Sequence, residues 1–326
     1  MESFLFSLSA VFPIVSLVAL GYFLKKKGMI TPVFGKSANQ LVFRLFLPVM
    51  LFLNIHKIQS FENLDFRYIL YTIAFVLSVF AVFLFLLPRI IKKEEFCGVL
   101  LQASFRSNFS HVGIPLTLSL VGEGGVAAAA LLSALLVPVF NILAVISLSV
   151  FRKDGEKISV KGIAKKIATN PIILGVAAGL VSLILREFLR NRGVFFDLLS
   201  VDAIAKPLKD LGNVASPLAL LALGAEFEFS HMGEMKKEIL IGTAVRVFFV
   251  PTLALGTAFL LGIFEAVHFA TFIAAFATPV AIASVPMAQE MGADSRLAGQ
   301  LVVWTTIVSG FTIFLYTFVL KVIGIF

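Results

Sequence analysis

The stretch RSNFSH at residues 106–111 gathers a guanidinium, a carboxamide, hydroxyls and an imidazole into a very short span of chain. Arg106 offers a planar fork of donors that matches a carboxylate. Asn108 and Ser110 both donate and accept hydrogen bonds. His111 titrates near neutral pH, so it can pack, bind or pass a proton. A second polar stretch, TPVAIASVPMAQE at 278–290, places Thr278, Ser284, Gln289 and Glu290 around Pro279 and Pro286. Neither stretch carries the means to break a bond. The chain has no HExxH and no nucleophile–histidine–acid set, and its single cysteine, Cys97, excludes a disulfide framework and a Cys/His metal cluster. GEGG at 122–125 is not followed by the Lys-Ser/Thr of a phosphate loop and reads as a turn. The chemistry on offer is non-covalent recognition of a small anion. No enzyme, metal or cofactor is expected, and a proton or a sodium ion is the conceivable companion.

These groups lie in a chain with little room for polarity. Of 326 residues, 59% are apolar and only 14% charged, with a mean hydropathy of +1.01; soluble domains carry about a quarter charged residues. Ten apolar stretches long enough to cross a bilayer as helix are predicted: 4–24, 37–55, 67–88, 96–121, 126–150, 170–189, 206–225, 238–262, 267–291 and 297–322. Short alternating strands of the barrel type are absent. The expected class is an all-α polytopic membrane protein in contact with lipid. A basic polar loop divides it, so the organisation reads as a five-helix repeat over 1–152, a linker over 153–169 and a second repeat over 170–326.

The net charge of +8 is explained by topology, not by nucleic acid. With the N-terminus outside, sixteen Lys and Arg residues fall in cytoplasmic loops and eight on the other face, which supports both termini outside; the expected location is a plasma membrane. Three basic residues remain inside spans: Arg44, Arg106 and Arg246. No acid falls near a span midplane, and Glu123, Glu226, Glu265 and Glu290 lie at span ends. Intramembrane charges are costly and mark pathways, or else snorkel to an interface. Arg44 and Arg246 are therefore candidate accessory or coupling charges, and Arg106 a candidate ligand.

The halves repeat. Pro48 in the second span corresponds to Pro217 in the seventh; Asn108 and Pro115 in the fourth span, like Pro279 and Pro286 in the ninth, stand seven apart. An odd number of spans per half inverts the second copy, the plan common in secondary transporters. Gly113, Pro115, Pro279 and Pro286 are the expected helix breaks, since a proline removes one amide and strands a carbonyl. Two broken helices crossing at the midplane would aim half-helix N-termini at one cavity and favour an anion there. Asn141, and Asn213 with Ser216, either line that cavity or bond to neighbouring helices. Asn54 and His56 read as interfacial, and Thr305, Thr306 and Ser309 as helix-to-helix bonds.

NFSHVGIPLTLSLVG resembles the fourth-span motif of the auxin efflux carrier family, in which an Asn precedes Gly-Ile-Pro-Leu. TPVAIASVPMAQEMGAD is similar to that family's ninth-span segment, and FRLFLPVMLFLNI at 43–55 to its second span. The resemblance covers essentially the whole chain. It implies a fold shared with bile-acid symporters and sodium–proton antiporters. Spans 1, 2, 6 and 7 would form a scaffold that dimerises; spans 3–5 and 8–10 would form a transport domain moving past it like an elevator. It also implies Asn108 and Pro115 on one side of the crossover and Pro279 on the other, and substrates such as malate, malonate or an auxin-like acid. The chain departs from the family in one respect: many members carry a further polar residue just after the ninth-span proline, and here only Ser284 is offered. A sodium-coupled organic anion symporter of the bile-acid type stays open, because Gln289, Glu290, Ser110 and freed carbonyls supply oxygen ligands. A cation–proton antiporter is disfavoured, because it needs buried carboxylates.

Overall fold

The structure, a computed structural model, describes residues 2–57, 65–151, 160–194, 197–228 and 232–326. These residues are helical almost throughout, and no strand longer than a single bridge occurs among them. In chain order the helices are α1 (Glu2–Lys26), α2 (32–56), α3 (Phe66–Ile90), α4 (Glu94–Phe105), α5 (Phe109–Val121), α6 (Glu123–Val150), α7 (Val160–Ala168), α8 (Pro171–Arg190), α9 (Asp202–Glu226), α10 (Lys236–Leu261), α11 (Ala266–Ala277), α12 (Ser284–Glu290) and α13 (Ser295–Val322). Among the described residues, six helices, α2, α3, α6, α8, α10 and α13, are found long and apolar enough to cross a membrane; α5 and α11 are shorter apolar helices. The first half of α9 carries Asp202, Lys206, Lys209 and Asp210, which lowers its hydropathy. The basic linker holds a helix that the sequence pattern did not predict, α7, while RKDGEK itself lies outside the described residues.

Side chains start the helices where polar residues precede apolar runs. Asp65 accepts from the Arg67 amide at 2.9 Å, Asn170 from Ile172 at 2.9 Å and Asp294 from Leu297 at 2.9 Å, capping α3, α8 and α13. Four prolines leave a shared mark. Widened π turns at Val42–Phe46, Phe109–Gly113, Val245–Phe249 and Ile273–Ala277 each end two residues before Pro48, Pro115, Pro251 or Pro279. The proline ring crowds the carbonyl four residues back, and the turn before it widens so that the preceding amides reach five residues back instead.

Helix α1 packs along α9, and α2 packs on α8 and α9. Separately, α4 and α5 pack on α6, α6 on α11, and α10 and α12 on α13. The first set approaches closely through small residues: a Cβ on Gly175 of α8 would meet the Pro48 carbonyl oxygen of α2 at 2.5 Å. The second set is filled by Phe105, Phe109, Phe269, Phe272 and Phe276, all essentially without exposure. Along the seam between the sets, α1 lies against α13, and α2 touches α12.

Candidate functional site

The chain breaks helix twice, and the breaks meet. Helix α4 stops at Phe105, the backbone runs extended through Arg106 and Ser107 and turns at Asn108, and α5 begins at Phe109. Helix α11 stops at Ala277, and α12 begins at Ser284. The two extended pieces cross as one antiparallel bridge between Ser107 and Val280: the Asn108 amide donates to the Pro279 carbonyl at 2.8 Å, and the Ala281 amide to the Arg106 carbonyl at 3.3 Å. The Val280 amide donates sideways to Thr305 Oγ1 at 3.1 Å. Amides stripped of helical partners are thus satisfied inside protein, as non-helical backbone at membrane depth requires.

This placement corrects the expected break at Gly113 and Pro115. Those residues lie in continuous helix seven or so positions further on, because the π turn at Phe109–Gly113 absorbs the ring of Pro115. Gly113 instead governs packing. A Cβ there would meet both the carbonyl oxygen and Cβ of Ala274 at 3.0 Å, so its absence lets α5 approach α11. Pro279 does lie in the second break, whereas Pro286 is buried within α12. Pro48 follows a π turn, but its sequence counterpart Pro217 sits in uninterrupted α9.

A crossing of this kind has a polarity. The C-terminal, carbonyl-bearing ends of α4 and α11 point in from one side, and the N-terminal ends of α5 and α12 lead away from the other. Arg246 serves the first side. It has no exposure, and its guanidinium donates to Thr278 O at 3.0 Å, Ala275 O at 3.0 Å and Ser104 O at 3.4 Å, bridging the ends of both helices. Arg246 therefore reaches no interface. It braces the crossing.

The second side opens on a cavity of about 50 Å³. Arg106, Ser107, Asn108, Ser110 and His111 line it from the first break, Asn141 from α6, Ala281 to Ala283 from the second break, Met50 from α2, and Ser216 from α9. Arg106 is 4% exposed and donates to Asn141 Oδ1 at 2.7 Å and towards Met287 Sδ at 2.9 Å; Asn141 in turn donates to Val137 O at 2.9 Å, which fixes its amide. His111 Nε2 lies 2.7 Å from Ser216 Oγ. The Asn108 side-chain nitrogen, Nδ2, and Ser107 Oγ are buried without a partner among the described residues. The lining holds a guanidinium and an imidazole but no carboxylate. Its inner wall can therefore receive an anion.

The other expected residues lie elsewhere. The Thr278 hydroxyl turns back to Ala274 O at 2.8 Å and holds the end of α11. Ser284 is 1% exposed, and its hydroxyl, behind the cavity wall, has no partner among the described residues. Arg44 is largely exposed and pairs with Glu290 at 3.2 Å, while Gln289 accepts from Asn39 at 2.9 Å. His56 ends α2 and is covered by protein: it is 1% exposed, 2.9 Å from Ser182 Oγ and 2.7 Å from Asp197 Oδ1. Sequence reasoning missed Ser107 and the Ala281–Ala283 backbone, which carry no distinctive side-chain signal. It gave Thr305 only helix-to-helix bonding.

A family described as Membrane transport protein matches residues 6–317. The chain belongs to this auxin efflux carrier family. It is 21% identical over 321 residues to an uncharacterized transporter of Methanothermobacter thermautotrophicus, covering 97% of this chain and 99% of that one. An uncharacterized transporter of Methanocaldococcus jannaschii is 27% identical over 225 residues, 67% of this chain and 68% of the other. The protein is thus a multi-pass membrane transporter and not an enzyme.

Proposed function

We propose that this transporter is a secondary carrier of small carboxylates, with the substrate held where the two broken helices cross. The observation that carries the reading is the cavity at the N-terminal ends of α5 and α12. Arg106 and unpartnered Asn108 face it, and no acid does. A single water needs roughly 10–15 Å³ by the same measure, so about 50 Å³ suits a compact acid such as malonate or malate better than an indole. In this reading α1, α2, α8 and α9 are the scaffold and dimer surface, and α3–α6 with α10–α13 the moving domain, an inverted pair of five-span repeats. The separate packing of the two helix sets supports that division. The basic loops face the cytoplasm, both termini lie outside, and the membrane is the plasma membrane. The test is uptake of labelled malate, malonate and indole-3-acetate into proteoliposomes. Asn108→Ala is expected to lower uptake roughly tenfold to a hundredfold, the worth of one lost charge-assisted contact. Normal uptake by a folded Asn108→Ala protein, or no uptake of any carboxylate, refutes the assignment.

A sodium-coupled symporter is the second reading. It is favoured by buried oxygens without partners near the crossing, Gln102 Oε1, Ser107 Oγ and Ser284 Oγ, which are of the hard type that sodium takes. Uptake that requires a sodium gradient supports it, and uptake unchanged in potassium-only buffer removes it.

A further inference from the structure

Away from the cavity, at the end of the seam between the two helix sets, three helices converge on Asn39. This residue of α2 has no exposure. Its amide nitrogen donates to Gln289 Oε1 of α12 at 2.9 Å and to Glu226 Oε1 at the end of α9 at 3.4 Å. Its carbonyl oxygen, Oδ1, is buried and has no donor among the described residues. Gln289 also donates to Lys36 O at 3.3 Å, and next to it Glu290 pairs with Arg44 at 3.2 Å. Gly35 makes room, since its missing Cβ would lie 3.0 Å from Glu226 Oε1. These contacts tie α12, which carries one wall of the cavity, to α2 and α9.

The arrangement is half-made in one respect. A carboxylate can accept the single long bond from Asn39 but cannot give the hydrogen that Asn39 Oδ1 lacks. A neutral carboxyl can do both, forming the paired acid–amide contact in which each group donates once. The basic surroundings pull the other way: Lys36 and Lys25 act on Glu226, and Arg296 lines the same groove, whereas Glu228 there favours the neutral carboxyl. Resting on the carrier reading above, we propose that Asn39, Glu226 and Gln289 form a proton-operated gate. A proton taken up by Glu226 from the bath on the Lys25–Lys27 face closes the seam over the cavity, and its release lets α12 part from α2. Glu226 is then the proton-coupling carboxylate of the cycle, standing outside the substrate cavity, where it does not repel an anion.

The test reads access instead of transport. In the full chain with Cys97→Ala, a cysteine at the cavity wall (Ala283→Cys) is labelled by a membrane-impermeant maleimide from the Lys25–Lys27 face, across acid to mildly alkaline pH. Labelling is expected to quicken as pH rises, after correction for maleimide reactivity with a freely exposed cysteine. Glu226→Gln, whose amide donates to Asn39 Oδ1 but does not titrate, should stay slow at every pH. Asn39→Ala should label roughly tenfold faster throughout, the factor of about one hydrogen bond. Gln289→Ala removes the same contact from the half-exposed side and should do likewise if Asn39→Ala folds poorly. Glu226→Gln with the parent's pH dependence overturns the proposal, as do Asn39→Ala and Gln289→Ala labelling no faster than the parent. Because labelling uses no substrate, intact gating without carboxylate uptake would refute the substrate reading alone.

Discussion

Arg246 invites the reading that an intramembrane charge belongs to the transport path, yet its contacts make it a brace, and the two roles predict different damage. Replacing it with Met keeps much of the volume and removes the guanidinium. Ser104 O, Ala275 O and Thr278 O then lose their donor, two of them at 3.0 Å and one at 3.4 Å. Opposing this, the variant no longer has to keep a cation buried, which costs several kcal/mol. The carbonyls should dominate, because they terminate two helices at their negative ends and no water replaces the donor. Hydrogen bonds in membrane proteins average about 0.6 kcal/mol, which sets a floor of about 1 kcal/mol for the two good bonds. Leaving a buried carbonyl without its donor costs about 1–3 kcal/mol, which sets the ceiling for the two good bonds at about 6 kcal/mol. Cys97 makes the assay simple: it is the sole cysteine and has no exposure, so a thiol-reactive fluorogenic dye reports unfolding without an added label. Arg246→Met is expected to unfold several degrees below the parent, Arg246→Lys to fall between them, and carboxylate binding to weaken in proportion. An Arg246→Met protein that unfolds with the parent but does not transport would place the charge in the pathway and refute the brace.

Other outcomes follow from the same contacts. Arg106→Gln should weaken binding of malonate roughly tenfold to a hundredfold. Asn141→Ala should cost less, since it only releases the guanidinium from its 2.7 Å anchor. The two together should be no worse than Arg106→Gln alone, a coupling that additive losses in a double-mutant cycle would contradict. At the start of α3, the Arg67 side-chain hydrogen bond lowers the Asp65 carboxyl from 3.8 to about 2. A depressed carboxyl stabilises the fold above its ordinary value and ceases to do so as pH falls through the depressed one. The thermal-stability gap between the parent and Asp65→Asn should therefore be full above pH 3.8 and close as pH falls towards about 2. A gap that persists under more acid conditions would mean the cap acts by geometry alone.

The polar residues of RSNFSH were legible as a site because an apolar chain exposes any exception. Arg106, Asn108, Ser110 and His111 do meet Asn141 around one cavity. Where the helix yields was not legible. Proline was the visible breaker, but Pro115 is absorbed by a widened turn, and the interruption lies at Arg106–Asn108, residues with no backbone peculiarity of their own. What holds them extended is the strand-like bond to Pro279 and Ala281, more than 170 residues away, a partner that local propensity does not encode. Likewise Arg44, Arg106 and Arg246 were equal as intramembrane arginines. Packing alone sorted them into an exposed pair with Glu290, a residue lining the cavity and a buried brace.

By itself, the sequence determined that this chain is helical and membrane-embedded, and which polar residues it spends in its interior. These follow from solvation, since charge and hydroxyl in a hydrophobic chain are too costly to place without use. Only the tertiary structure decided that two extended segments complete each other's hydrogen bonds and that helix N-termini gather on one side of the crossing. It also decided that Asn39, an unremarkable residue in the sequence, joins three helices. Those outcomes depend on distance in space between segments remote in the chain, and an unpaired backbone amide is satisfied by whatever the fold brings within 3 Å or so.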